Sequence, residues 1–142
     1  MTTLFTRIIN REIPGRFIWE DDLCVAFLTI APLSDGHTLV VPREEVDHWI
    51  GVDPALFSHC MGVAQHVGAA IDRSFSPARV VQLIAGFEVP HLHLHVLGAA
   101  SEADISFSKA DPTVLAETLD ANAQELRNAL IEAGFGHRVP DC

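Results

Sequence analysis

Residues 91–97, HLHLHVL, carry a histidine at every second position, with leucines between them. In a β-strand, residues two apart project from the same face. A strand here has one leucine face, which can pack on a core, and one face that carries His91, His93 and His95. The pattern therefore predicts a sheet whose histidine face is either a solvated polar surface or a site.

Three interpretations of the histidine face remain open. In the first, the histidines bind a metal. Zinc needs Zn–N bonds of about 2.0–2.1 Å, but His91 and His95 stand about 13 Å apart at their Cα atoms in a strand. A further ligand would then have to come from His37, His48, His59 or Glu88. In the second, the face is solvated or hydrogen-bonded. The third is catalysis on phosphorus, since neutral imidazole is a nucleophile and its neighbours can hold phosphate oxygens.

The remaining elements predict an α+β fold with a mostly antiparallel sheet. Residues rich in Val, Ile, Phe and Thr indicate strands at 17–20, 24–30, 37–42, 79–85 and 91–97. Apolar periodicity predicts a short helix at 4–10, a helix from Asp53-Pro54 to about 75–77, and a helix from Asp111-Pro112 to Gly134 or Gly136. Strands in neighbouring runs, with helices between and after them, favour this class over a doubly wound parallel sheet.

Composition and charge limit the kinds of partner and the cellular location that fit this chain. The 142 residues fit a single domain, 1–142, and the net charge of −10 argues against a nucleic-acid partner. No apolar run reaches the roughly 18 residues that span a membrane, and the N-terminus predicts no export signal. The three cysteines, Cys24, Cys60 and Cys142, are widely spaced. They favour a reducing, cytoplasmic setting and argue against a cysteine zinc site.

The histidine segment resembles the signature of the histidine triad (HIT) family, H-φ-H-φ-H-φ-φ, where φ is apolar. The likeness covers residues 4–98, including the E-D-D turn at 20–22 and P-x-x-x-G-H-T-L-V-x-P at 32–42, and it points to the Hint/Fhit-like bacterial branch. It implies a HIT-like fold, with an antiparallel sheet of about five strands, one central helix and a C-terminal helix. It also implies a homodimer whose sheet extends across both subunits. A helical extension at about 111–135 lies outside the likeness.

The resemblance also implies a reaction and its residues. His93 would attack the α-phosphate of a purine nucleotide derivative, either a phosphoramidate or a dinucleoside polyphosphate, to form a nucleotidyl-histidine. The backbone carbonyl of His91 would orient His93, and His91 and His95 would bind phosphate oxygens. His37 matches a further histidine near the triad. No cofactor is expected.

Further positions match those that hold the nucleoside in the family. The apolar positions around the base are Leu4, Phe5, Ile8, Phe27, Ile30 and Leu39. Each of these also fits an ordinary core position. Thr29 stands where the family has a ribose-binding Asp, so a hydroxyl remains but a bidentate carboxylate does not.

Other positions depart from the family pattern. Many bacterial members bind structural zinc with C-x-x-C and a histidine, whereas these positions are Thr3, Thr6 and Glu45, so no such site is expected. Phe87 and Glu88 replace a glutamine and a small hydroxyl residue. A carboxylate repels phosphate unless it is protonated or points away, so Glu88 is either a general acid or a solvated loop residue. These departures leave an alternative function, a nucleotide-binding regulatory module with little turnover.

Overall fold

A computed structural model of the chain describes residues 2–141; Met1 and Cys142, the last of the three cysteines, lie outside that part. The elements are α1 (Leu4–Ile9), β1 (Phe17–Glu20), β2 (Cys24–Leu28), β3 (Thr38–Pro42), α2 (Pro54–Phe75), β4 (Arg79–Leu83), β5 (Leu94–Ala99) and α3 (Ala116–Leu130). The five strands form one antiparallel sheet in the order β1-β2-β3-β5-β4. The predicted α+β class, with a five-stranded antiparallel sheet, a central helix and a C-terminal helix, is confirmed.

Strand alternation divides the sheet into two apolar layers. The larger layer includes Ala26 and Leu94 and is covered by α2 and α3. The smaller layer includes Phe27 and Leu39 and is covered by Phe5 of α1. The two faces of the sheet therefore have different covers, two long helices on one side and a single short helix on the other.

The leucine face of the histidine segment packs as predicted, although the strand begins later than the pattern indicates. Leu92, Leu94 and Val96 all belong to the larger layer. The regular ladder begins at Leu94, because the Leu92 amide donates to the Val46 carbonyl of the loop after β3 (2.6 Å). The alternation of side chains nevertheless continues through residues 91–93.

One helix start was predicted correctly and the other was not. Asp53 caps α2, since its carboxylate accepts from the Leu56 amide (3.3 Å). The second Asp-Pro pair does not begin a helix, and α3 starts only at Ala116. The Asp111 carboxylate instead accepts from the backbone N–H (2.8 Å) and the hydroxyl (2.5 Å) of Thr113. This local turn competes with a helical cap.

The two long helices are amphipathic. One face of α2 is buried, and it consists of Leu56, Cys60, Val63, Ala64, Val67, Ala70 and Ile71. In α3, Leu126 and Leu130 are buried while Asp120 and Glu125 are exposed. Among residues 2–141, no helix combines the length and the apolar character needed to cross a membrane.

Candidate active site

The three histidines of the segment are buried, although they face away from the larger layer. Their exposed fractions are 0% for His91, 8% for His93 and 9% for His95. The Phe5 ring lies edge-on to the rings of His91 and His93, at centroid distances of 5.8 and 4.8 Å. This burial excludes the solvated surface that was one alternative. We call these three histidines, together with His37, the triad face.

Both ring nitrogens of His91 are bonded within the protein. Nε2 lies 2.8 Å from the carbonyl oxygen of Pro42, which can only accept, so Nε2 carries the hydrogen. Nδ1 lies 2.6 Å from the hydroxyl of Thr3, which therefore donates to it. No nitrogen of His91 is left for a phosphate oxygen. The phosphate contact that the resemblance implies for His91 stays a prediction, and it would require one of these two bonds to break.

Within residues 2–141, Nδ1 of His93 has a hydrogen-bond partner and Nε2 has none. Its Nδ1 lies 2.7 Å from the carbonyl oxygen of His91, so the ring hydrogen is on Nδ1. This is the orienting contact that the resemblance implies. The lone pair is consequently on Nε2, which is the state that a nucleophilic imidazole requires.

His37 fixes the tautomer of His95. The Leu33 amide donates to Nδ1 of His37 (3.0 Å), so the hydrogen of His37 is on Nε2. That Nε2–H lies 3.0 Å from Nδ1 of His95, which must accept. His95 therefore carries its own hydrogen on Nε2. Since the ring centroids of His93 and His95 are 4.9 Å apart, the lone pair and the N–H lie on neighbouring rings.

The backbone before β3 holds His37 in place. Gly36 has a φ of +85°, a conformation that side chains rarely adopt. A Cβ atom there would also lie 2.5 Å from the Phe75 ring. The loop therefore needs glycine at this position to bring His37 against β5.

Burial keeps the triad face neutral. Burial lowers the pKa of His37 to about 4, and burial together with the neighbouring His93 and His37 lowers the pKa of His95 to about 3. Burial also lowers the pKa values of His91 and His93, and a backbone carbonyl partly opposes it in each case. The lone pair of His93 is thus retained at neutral pH.

The structure brings together part of the predicted base site. Phe5, Ile8, Phe27 and Leu39 form one apolar cluster, in which the Phe5 and Phe27 rings are 5.7 Å apart. Three of them are buried, as core residues would be, and Ile8 is half-buried. Ile30 lies apart from the cluster and is 72% exposed. Leu4, a further match, is also exposed.

Thr29 lies just beyond the end of β2, which stops at Leu28 rather than at Ile30 as predicted. The Thr29 amide donates to the His37 carbonyl (3.2 Å), and its hydroxyl oxygen accepts from the Ala31 amide (3.2 Å). The hydroxyl hydrogen is not used in that contact. Thr29 can therefore donate to a ligand but cannot offer the two acceptors of a carboxylate.

The loop before the histidines exposes the two departures from the family pattern. Phe87 is 97% exposed, and Glu88 is exposed beside it. The carboxylate charge of Glu88 raises the pKa of His93, against the larger effect of burial. Glu88 is thus both solvated and close enough to influence the candidate nucleophile.

A hydrogen-bonded cluster occupies the positions of the family's zinc ligands. The Thr3 amide donates to the Glu45 carboxylate (2.8 Å), and the Thr6 hydroxyl bonds to the same carboxylate and lowers its pKa. The Thr3 hydroxyl bonds to His91. Zinc takes thiolate, imidazole and carboxylate ligands, so two hydroxyls and an imidazole with no free nitrogen do not fit that ion.

Two contacts of the triad face were missed by the sequence reasoning. The sequence marks Thr3 only as a position without a zinc-binding cysteine, and its partner His91 lies 88 residues away. Phe107 packs on His95 with ring centroids 4.7 Å apart. Phe107 lies in a stretch without helical or strand periodicity, so no sequence signal pointed to it.

Most of the chain matches one known protein family. The model of the HIT domain family matches residues 10–102. An uncharacterized HIT-like protein of Borreliella burgdorferi is 31% identical over 115 residues, which cover 76% of this chain and 83% of that protein.

Solved structures share the fold over nearly the whole chain. A zinc-bound histidine triad family protein from Mycobacterium smegmatis superposes with a TM-score of 0.80 at 24% identity, covering 96% of this chain and 98% of that one. A hypothetical histidine triad nucleotide-binding protein from Sulfolobus tokodaii superposes with a TM-score of 0.78 at 26% identity, covering 90% and 91%.

Fold and site together define a small α+β protein built around a row of neutral histidines. The family model matches more than half of the chain, and this match identifies the family. The chain belongs to the histidine triad (HIT) family.

Proposed function

We propose that this protein is a nucleotide hydrolase or nucleotidyl transferase in which His93 attacks an α-phosphate. The observation that carries the proposal is the free Nε2 lone pair of His93 next to the Nε2–H of His95. A nucleophile beside a neutral hydrogen-bond donor suits a phosphate that gains charge during attack.

The proposed reaction has two steps. Nε2 of His93 forms a bond to the α-phosphorus, the bond from phosphorus to the leaving group X breaks, and the nucleotide remains on His93. Water then attacks the same phosphorus and the P–N bond breaks. Overall, water supplies one proton to HX and its hydroxyl to the nucleoside monophosphate, and His93 returns to its starting state. X is an amine in a phosphoramidate or a nucleotide in a dinucleoside polyphosphate.

We propose a purine nucleotide as the substrate. The apolar cluster of Phe5, Ile8, Phe27 and Leu39 adjoins His93 through the Phe5 ring, and Ile8 is the least buried of the four. The Thr29 hydroxyl is proposed to donate to a ribose oxygen. The Sulfolobus tokodaii neighbour, which is described as nucleotide-binding, supports this class of ligand.

We also propose that the protein is a homodimer in the cytoplasm. β4 is an edge strand with only β5 as a neighbour. Beside it, a cavity of about 510 Å³ between α2 and β4 is lined by apolar side chains such as Met61 and Val81. Pairing of β4 with a second copy would continue the sheet, and the free thiols of Cys24 and Cys60 suit a reducing compartment.

Release of AMP tests the catalytic role of His93. The protein is incubated with adenosine phosphoramidate or a diadenosine polyphosphate, and AMP is measured by chromatography. We expect His93→Ala to lower the rate roughly a thousandfold or more, while nucleotide binding largely survives. His137→Ala, which removes an exposed histidine outside the triad face, is the matched control. Equal rates for wild type and His93→Ala would exclude the proposed nucleophile.

A second candidate function is a nucleotide-binding regulatory module with little turnover. The exposed carboxylate of Glu88 near His93 favours it, because negative charge opposes an approaching phosphate. Tight AMP binding without turnover of either substrate would support this module. If Glu88→Gln then restored turnover, the carboxylate itself would be the cause.

A further inference from the structure

A second group of ligating side chains lies on the other face of the sheet. The Asp21 carboxylate, the Cys24 thiol and the His59 imidazole each offer one ligand atom, and these atoms all lie within 4.8 Å of one another. Nε2 of His59 is 2.7 Å from Oδ2 of Asp21, and Sγ of Cys24 is 3.7 Å from the same oxygen. We call these three residues the Asp21 cluster.

The cluster does not share residues with the triad face. Cys24 belongs to the larger apolar layer with Trp19 and Cys60, beneath α2. His59 projects from α2, and its side chain is 36% exposed. A ligand bound there would thus be separated from the candidate active site by the sheet.

We propose that Asp21, Cys24 and His59 bind a zinc ion. Sulfur, nitrogen and carboxylate oxygen are the donors that zinc takes in proteins, and three protein ligands leave a fourth position for water. Tetrahedral bonds of the usual lengths separate such donors by roughly 3.3–3.6 Å. The 3.7 Å between Cys24 and Asp21 is close to this separation. The half-exposed His59 can rotate to adjust the other two distances.

The carboxylate is already held in a fixed orientation. Oδ1 of Asp21 accepts from the amides of Leu23 and Cys24, each at 2.8 Å, and the Trp19 indole N–H donates to Oδ2, also at 2.8 Å. Such partners around a metal ligand restrict its rotation and increase metal affinity. The Asp21 carboxylate is therefore already oriented before an ion binds.

Charge balance also favours a divalent cation. Asp21 is buried and negative, and His59 is its salt-bridge partner among the residues that the structure describes. On binding, Cys24 releases its thiol proton, and the Nε2 hydrogen that His59 donates to Asp21 leaves, so that the neutral imidazole carries its hydrogen on Nδ1. Zn²⁺ with one carboxylate, one thiolate and one neutral imidazole has no net charge, which suits a buried position.

The ion has a path from solvent. A cavity of about 350 Å³ opens over the cluster and is lined by Asp21 and His59, with Trp19, His66 and Arg138 around them. The exposed edge of His59 lies in this cavity. The fourth zinc position would face it and hold water.

Metal titration of the intact protein tests the proposal without reference to catalysis. Zn²⁺ binding is measured by calorimetry, and Co²⁺ is used as a spectroscopic probe, since a thiolate ligand gives cobalt a charge-transfer band in the near ultraviolet. We expect one ion per chain and such a band. Within residues 2–141, the contacts of the triad face include no thiol, so the band distinguishes the two sites.

Variants identify the ligands. We expect Cys24→Ser to abolish the band and His59→Ala to lower zinc affinity by roughly a hundredfold or more. His59 lies at the surface of α2, so its variant folds even if Cys24→Ser does not. His48→Ala, which removes an exposed histidine, is the matched control for His59. Cys60→Ser removes a buried thiol that is hydrogen-bonded to Cys24 and tests whether Cys60 is the thiol ligand instead.

Three outcomes would overturn the proposal. They are no zinc binding by wild type, zinc affinity unchanged in His59→Ala, and dependence on Cys60 as strong as that on Cys24. Loss of AMP release in His93→Ala with intact zinc binding would leave this site standing, since the two proposals use different residues.

Discussion

The triad face and the Asp21 cluster both contain histidines, but they are held by different kinds of partner. On the α1 side, the histidines bond to backbone groups, to a hydroxyl and to one another, and all stay neutral. On the α2 side, His59 bonds to a buried carboxylate. Burial keeps the triad histidines neutral, whereas hydrogen-bond donors keep the buried Asp21 carboxylate charged against the effect of burial.

As the pH falls, the triad face and then Asp21 should lose their contributions to stability in successive pH ranges. The pKa values of the triad histidines are lowered, so the unfolded chain binds more protons below its ordinary histidine pKa of about 6.5, and stability falls as the pH drops toward 4 and 3. The pKa of Asp21 is also lowered. Its contribution is present above about 3.9 and is lost as the pH falls toward 2.

Removing the Nε2–H donor of His37 should have the largest effect on the activity of the triad face. His37→Leu leaves Nδ1 of His95 without a donor, so His95 no longer keeps its hydrogen on Nε2. We expect the kcat for AMP release to fall about 10- to 100-fold. Removing a residue that orients a metal-binding histidine has an effect of this size. His37→Gln is the control, since its amide can still donate to His95 and accept from Leu33. A kcat at the wild-type level in His37→Leu would show that the tautomer of His95 does not matter.

Removing the charge of Asp21 tests how much its carboxylate contributes to stability. Burial alone would raise the pKa of Asp21, but hydrogen bonds from Trp19, the Cys24 amide, His59 and the Leu23 amide outweigh it and lower the pKa to about 2. Asp21→Asn replaces one carboxylate oxygen with an NH2 group, which cannot accept from those donors. We expect a loss of about 1–3 kcal/mol in the free energy of unfolding at pH 7, measured with urea.

The same variant sharpens the pH comparison. Wild type should lose stability as the pH falls from about 4 to 2, whereas Asp21→Asn should not show that step. The decline that begins near pH 6.5 should remain in both proteins, because it comes from the triad histidines. An unchanged acid step in the variant would assign it to other carboxylates.

The smallest effect is expected from Thr3, which supports the triad face from its edge. Thr3→Val leaves Nδ1 of His91 without a donor and removes the cap of α1. We expect a loss of about 1–2 kcal/mol in unfolding free energy. AMP release should change little, because the bond from His93 to the His91 carbonyl remains. Thr3→Ser keeps the hydroxyl and should retain most of the stability.

The packing of this protein was largely predictable from its sequence. Alternation in residues 91–97 predicted which side chains face the core, since that pattern depends only on local geometry. The Asp-Pro pair at residue 53 predicted the start of α2, but the same pair at residue 111 formed a turn with Thr113. Local sequence does not decide between those two uses of one carboxylate.

The protonation of the candidate site could not be predicted in the same way. The groups that set it are the carbonyls of Pro42 and His91, the amide of Leu33 and the hydroxyl of Thr3. Every residue except proline has a backbone amide, and every residue has a carbonyl. The sequence therefore does not show which of these groups bind the histidines. Their positions depend on how distant segments pack.

The loop that carries Leu33 is anchored from outside the HIT match. The Asp111 amide donates to the Pro32 carbonyl (3.1 Å), and the Asn122 side chain donates to Asp35 (3.3 Å). Both anchors lie beyond residue 102, where the family model ends. The C-terminal part of the chain therefore helps to decide where one hydrogen sits on His37, and through it which nitrogen His95 offers to a ligand. Related proteins with the same four histidines but another C-terminal segment need not share that proton arrangement.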